Sequence, residues 1–164
     1  MKILVCITHV PDTTSKIAFT NDNTRFDESG VQFIIGPYDD YALARAVELK
    51  ESHGATVTVL NVGEATAEPT IRKALAIGAD DAIRVNAYPQ DAMFVARQIA
   101  NVAKEGNYDL IMMGRESIDY NSGVVHGIVG GLLNIPSISP VIGLQIEGTK
   151  AKITRQLDGG KEYL

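Results

Sequence analysis

The sequence predicts an α/β fold: a parallel sheet with helices on both faces and a β-hairpin excursion after the first strand. Three observations predict it. Short apolar runs alternate with longer stretches of helical periodicity, the order expected of crossover units on a parallel sheet. The opening run, Ile3-Leu4-Val5-Cys6-Ile7, is apolar without alternation, as a strand covered on both faces requires. The 164 residues suit a single domain, and 45% hydrophobic with 21% charged residues is an ordinary globular balance that disfavours disorder.

The elements follow in order. Lys2–Thr8 is the first strand. Lys16–Thr20 and Val31–Ile35 flank the polar stretch 21–30 and form the excursion. Pro37 opens a helix through Ser52, with Asp39 and Asp40 in its first turn, a buried stripe of Ala42, Leu43, Ala46 and Val47, and Gly54 ending it. Ala55–Val62 is a strand rich in β-branched residues. Thr66–Ile77 is a helix with Pro69 in its first turn, and Ala82–Val85 a short strand. Gln90–Lys104 is the clearest helix, placing Ala92, Val95, Ala96, Ile99, Val102 and Ala103 on one face. Tyr108–Met113 is a strand, Ser122–Leu133 a glycine-rich helix, and Ser137–Ile146 with Lys150–Gln156 two strands around a turn. Ile3–Thr8, Val57–Val62 and Leu110–Met113 are expected among the central strands.

Composition narrows the function. The lone cysteine, Cys6, excludes an internal disulfide and any cysteine-clustered metal site, and favours a reducing, cytoplasmic setting. A net charge of −5 gives a nucleic-acid surface no support. No apolar run approaches the ~20 residues that span a bilayer, so no membrane insertion is expected. The start is too short for a signal peptide. Catalytic machinery is thin. His9, His53 and His126 have no second ligand at metal spacing, and Ser117 is not in a nucleophile elbow. Asp39-Asp40 and Asp80-Asp81 are sequence neighbours, which on a helix do not face each other. Cys6 reads as an inert buried thiol. No nucleophile–base pair emerges, and the sequence describes a binder more readily than an enzyme.

In an open α/β sheet, ligands sit beyond the carboxyl ends of the strands. The segments there are Thr8–Thr14, Gly36-Pro37-Tyr38-Asp39, Val62–Ala65 and Gly114-Arg115-Glu116-Ser117-Ile118-Asp119-Tyr120-Asn121-Ser122-Gly123-Val124-Val125. The last follows a strand and opens a helix, whose unpaired N–H groups suit a phosphate, and Gly114 and Gly123 would let backbone approach a ligand. The same stretch is equally a capped helix start with Arg115 and Glu116 solvated. Neither a G-x-G-x-x-G turn nor a P-loop is present.

Five segments, in order, carry a family resemblance: Ile3–Thr13, Gly36-Pro37-Tyr38-Asp39 with Ala42 and Ala46, Arg72–Asp80, Tyr108–Asp119, and Ile153–Glu162. Together they resemble the beta (small) subunit of electron transfer flavoprotein over essentially the whole chain. The resemblance implies an adenine-nucleotide α-hydrolase-like, Rossmann-like domain over residues 1–164. It implies a non-catalytic subunit paired with an alpha subunit that holds most of the FAD. Electrons would pass from acyl-CoA dehydrogenases to a quinone oxidoreductase, in fatty acid oxidation. It further implies one structural AMP, lined by Cys6, Gly36–Asp39, Val62 and Gly114–Val125, with adenine against the strand ends and phosphate at Asn121–Val125. In flavin-bifurcating members a second FAD replaces the AMP.

The chain departs from the family pattern at Gly36, where an asparagine is usual, at Thr8-His9, where a basic residue is common, and at Val124, which replaces a glutamine. The resemblance also implies a chain ending short of the family's C-terminal arm. A stand-alone adenine-nucleotide module of the universal-stress type is the alternative; its glycine-rich phosphate loop corresponds here to Gly114-Arg115-Glu116-Ser117, which speaks against it.

Overall fold

The computed structural model describes residues 1–20 and 22–164; Asn21, the first residue of the polar excursion, lies outside the described residues. In chain order the elements are β1 (Lys2–Cys6), β2 (His9–Pro11), β3 (Phe33–Ile35), α1 (Pro37–His53), β4 (Thr56–Val62), α2 (Glu68–Ile77) and β5 (Asp81–Val85). They continue with α3 (Ala92–Gly106), β6 (Leu110–Met113), α4 (Val125–Leu133), β7 (Val141–Glu147), β8 (Lys150–Leu157) and β9 (Gly160–Tyr163). Strands β5-β4-β1-β6 form a parallel sheet, with Ile3 registered between Val57 and Leu110.

The doubly apolar first strand is explained by its two faces. Ile3 and Val5 enter a core with Leu43, Ala46 and Leu49 of α1 and Ala74 of α2. Leu4 and Cys6 enter a second core with Ala96, Ile99 and Ala103 of α3 and Val129 of α4. The result is three layers, as the sequence predicts. Each large side chain fully removed from water contributes about 1.5–3 kcal/mol, so β1 anchors both halves.

Helix ends obey local chemistry. Gly54 adopts φ 64° and its N–H donates to Lys50 O at 3.0 Å, closing α1. Asp91 caps α3 by accepting from Phe94 N at 2.7 Å. The last turn of α1 is tied down by Lys50, whose Nζ meets Asp80 Oδ1 at 2.5 Å, while Asp80 Oδ2 accepts from Val57 N at 2.8 Å.

Several expectations are corrected. The first strand stops at Cys6, not Thr8. The excursion pairs β2 with β3, and Lys16–Thr20 forms no strand beyond an isolated Phe19–Phe26 bridge. Asp12 causes this: its Oδ1 accepts from Thr14 N at 2.8 Å and from Thr14 Oγ1 at 2.6 Å, turning the chain away just after Pro11. Leu110–Met113 lies at the sheet edge rather than the centre, because no later strand joins the parallel sheet. The glycine-rich helix begins at Val125 instead of Ser122, since Asn121 is left-handed (φ 50°) and Ser117 N donates to Ser122 O at 3.3 Å, keeping that stretch a turn. The tail strands form a separate antiparallel sheet, β7-β8-β9, whose last strand the sequence pattern did not disclose. Leu144 and Ile146 pack it on the first core, and Arg45 Nη2 donates to Leu144 O at 2.6 Å. Among the described residues, no helix is long and apolar enough to cross a membrane.

Candidate functional site

A cleft of about 1100 Å³ opens at the carboxyl ends of β1, β4 and β6. The sheet supplies Cys6, Leu60, Val62 and Met113, and the β6–α4 loop supplies Gly114–Tyr120 with Ser122 and Val125. Asp39 also lines it. Of the other expected residues, Gly36, Pro37, Tyr38, Asn121, Gly123 and Val124 fall outside the lining; Gly123 borders a smaller adjoining pocket of about 260 Å³. Sequence reasoning did not gather the cleft's far wall: Phe19, Phe26 and Phe33 of the excursion, Asn61, and Tyr88–Ala92 before α3. Of these only Asn61 left a signal, an amide in the apolar run Val57-Thr58-Val59-Leu60-Asn61-Val62.

Asp39 organises the floor. It is 4% exposed, and its Oδ2 accepts from Thr8 N at 2.8 Å and Thr8 Oγ1 at 2.6 Å, while Oδ1 accepts from Gly114 N at 2.8 Å. One carboxylate thus joins the exits of β1 and β6 to the start of α1. Burial pushes its pKa above the ordinary carboxylate value, and the three hydrogen bonds offset part of that rise. The two flanking glycines follow from this knot. A Cβ on Gly36 would sit 2.3 Å from Thr8 Oγ1 and 2.6 Å from Asp39 Oδ2, which accounts for the missing asparagine. A Cβ on Gly114 would meet Asp39 Oδ1 at 2.5 Å and Tyr38 Cβ at 2.8 Å. Asp39 and Tyr38 thus fill the space a Cβ at Gly114 would take, while Gly114 itself lines the cleft.

Around the knot, His9 stacks on Phe33 with centroids 4.3 Å apart, and its Nδ1 lies 2.8 Å from Thr70 Oγ1. Burial lowers the His9 pKa, favouring the neutral ring. Asn61 Nδ2 donates to Ile7 O at 2.9 Å. Arg84 Nη1 holds Gly63 O at 3.1 Å, fixing the rim after β4. Arg115 bonds Glu116 at 2.9 Å and lies over Tyr38, its Cζ 5.0 Å from the ring centroid. Cys6 is buried, and desolvation, followed by the Asp39 charge, pushes its thiol pKa up, so the thiolate is suppressed. The α4 N-cap is Val124, which offers no side-chain cap, leaving first-turn amides at Val125–Gly127 available to an anion. No group of three or more metal-ligating side chains gathers among the described residues.

The geometry suits a mononucleotide: apolar strand ends for a base and the start of α4, which has no side-chain cap, for a phosphate. The family model described as the electron transfer flavoprotein domain matches residues 23–163. The electron transfer flavoprotein subunit beta of Bacillus subtilis strain 168 is 35% identical over 168 residues, covering 100% of this chain and 65% of its own length. The human electron transfer flavoprotein subunit beta is 33% identical over 170 residues, covering 100% and 67%. The acryloyl-CoA reductase electron transfer subunit gamma of Anaerotignum propionicum is 34% identical over 166 residues, covering 98% and 62%. The chain thus spans about two thirds of the length of these relatives. With the family model matched along most of its length and whole-chain relatives above 30% identity, the chain belongs to the electron transfer flavoprotein family, on the beta-subunit side.

Proposed function

We propose that this protein is the beta subunit of a heterodimeric electron transfer flavoprotein, acting as the structural, AMP-holding partner of an FAD-carrying alpha subunit. The observation that carries the reading is the cleft at the strand ends, with the Asp39 knot as its floor and the uncapped α4 turn beside it. Residues 1–164 act as one domain in this proposal. Cys6 and Val62 face the base, and the Val125–Gly127 amides take the phosphate. AMP here has no redox chemistry; it fills and stiffens the cleft. The flavin, when bound to the complex, supplies the electron-carrying chemistry.

This chain's own residues position groups and exclude water; they do no covalent work. His9 is engaged with Thr70 and Phe33, and the Cys6 thiol is held protonated, so neither is poised as a nucleophile or base. The proposed electron donors are acyl-CoA dehydrogenases and the acceptor a quinone oxidoreductase, in fatty acid oxidation and in the cytoplasm. Purification of the native protein tests the pairing: copurification with a larger FAD-containing chain is expected. A native protein that runs alone and binds no AMP at millimolar concentration in calorimetry would overturn the reading.

A further inference from the structure

We propose that the Asp158-Gly159 turn joining β8 and β9 is a site of spontaneous backbone isomerisation, at which Asp158 converts to isoaspartate. The sequence contains one Asp-Gly step and no Asn-Gly step. That step is the two-residue loop between Leu157 and Gly160, which pair across the hairpin. Asp158, Gly159 and Gly160 are all exposed. Among the described residues, the Asp158 carboxylate accepts no hydrogen bond and the Gly159 N–H donates none. Each other aspartate accepts a hydrogen bond except Asp40, which is half-buried in the first turn of α1. Gly159 has no side chain to shield its nitrogen, and a Cβ placed there would meet nothing within 4 Å. Both reacting groups are therefore free and adjacent.

The Gly159 nitrogen attacks Cγ of the protonated Asp158 carboxyl. A C–N bond forms, the Cγ–OH bond breaks, and the hydroxyl leaves with the amide proton as water. Water then opens the resulting succinimide. Cleavage at the α-carbonyl gives isoaspartate, and cleavage at Cγ restores aspartate. Nothing is oxidised or reduced, and water is the only co-reactant. Ring closure requires the turn to leave its folded geometry. Strand β9 is four residues long and pairs with β8 alone, so that local opening disturbs few ladder bonds. Isomerisation routes the backbone through the Asp158 side chain, lengthening the loop by one methylene and leaving the α-carboxylate as a branch. Loop length fixes hairpin register. Here that register sets Arg155 opposite Glu162, with Nε and Oε2 3.3 Å apart. The modification should therefore loosen β9 from β8. The parallel sheet, to which this hairpin adds no strand, should be untouched.

Ageing the native protein in warm neutral buffer made with heavy-oxygen water tests the proposal. Trypsin releases Gln156–Lys161, and mass spectrometry reads each event there as one incorporated heavy oxygen. Isoaspartate should accumulate in this peptide about tenfold faster than at any other aspartate, since only here does a free carboxylate adjoin an unshielded amide. Asp158→Glu, whose ring closure carries an added methylene, should abolish it. Asp158→Asn, with ammonia as the leaving group, should speed it. Hydrogen exchange on the aged protein should show the Leu164 amide, which donates to Ile153 O at 2.9 Å, exchanging faster, with β1 unchanged. No heavy oxygen in Gln156–Lys161 of the folded protein would overturn the proposal, and uptake in a urea-unfolded sample would trace that failure to a rigid turn. Isoaspartate appearing first at another aspartate would overturn it too. Unchanged exchange at Leu164 in the isomerised protein would overturn the coupling to β9.

Discussion

Asp39 Oδ1 accepts the Gly114 amide at 2.8 Å, so a residue in the first turn of α1 holds the exit of a strand 75 positions away. The same carboxylate binds Thr8 through its other oxygen, so the start of α1 is tied to the exits of both β1 and β6. Glycine at 114 is a packing requirement of this knot: its missing Cβ is the space that Asp39 and Tyr38 occupy.

Gly114→Ala should therefore destabilise the protein by about 1–3 kcal/mol, the range for overpacking a filled site. Urea unfolding measures it. Nucleotide affinity should fall as well, through displacement of Asp39. A variant as stable as the parent that still loses binding would instead place a ligand against Gly114.

Asp39 also gives stability a pH signature. Its folded pKa is raised above the unfolded value, so the carboxylate is disfavoured in the fold. Its stabilising contribution is full below the ordinary carboxylate pKa and is lost as pH rises through the raised folded value. Half-buried Asp12 and Asp27, whose pKa values are lowered by hydrogen bonds to Thr14 and Ser29, act in the opposite sense. The Asp39 effect is isolated by difference. Relative to Asp39→Asn, the parent should gain stability on acidification from neutral pH. The variant should also be less stable at neutral pH, because an amide NH₂ must face either Thr8 or Gly114, both donors. Equal pH slopes for the two proteins would dismiss the buried carboxylate.

Cys6 offers a probe of cleft integrity. Burial and the raised thiol pKa predict negligible reaction with a thiol reagent in the native protein at neutral pH. Reaction should appear in step with unfolding in denaturant. Because Cys6 lines the cleft, bound AMP should slow any residual native labelling further. Fast native labelling that AMP leaves untouched would separate Cys6 from the nucleotide site.

What was legible in the sequence was what local chemistry decides. Ile3–Ile7 announced a strand covered twice, and the Ala96, Ile99, Ala103 stripe announced α3. Non-local decisions were hidden. Leu110–Met113 has helices near both faces at the sheet edge just as it would at the centre, so its apolar run could not reveal which. Lys16–Thr20 carries strand-like residues, but the side-chain turn of Asp12 overrides them. For the site, the strand-end rule located Cys6, Val62 and the β6–α4 loop. The far wall comes from the excursion and the segment before α3, whose proximity only the fold creates. Asp39 looked like an ordinary helix-start acid, and its distant partners Thr8 and Gly114 carry no sequence mark.

The final prediction concerns colour. Separated from any flavin-carrying partner, this chain should show no flavin absorbance and accept no electrons from an acyl-CoA dehydrogenase. A dinucleotide brings a pyrophosphate, and the segment after β1, Thr8-His9-Val10-Pro11-Asp12, has no glycine to wrap one. The cleft is large enough for a dinucleotide by volume, at about 1100 Å³, so size does not exclude it; charge does. Two linked phosphates at the start of α4 would face Glu116 and Asp119 in the adjoining loop. Thr8 and Gly36, tied up with Asp39, add no free donor or side-chain amide at the floor. An absorption spectrum after gel filtration decides the matter. A visible flavin band retained one-to-one by the isolated chain would show the prediction wrong.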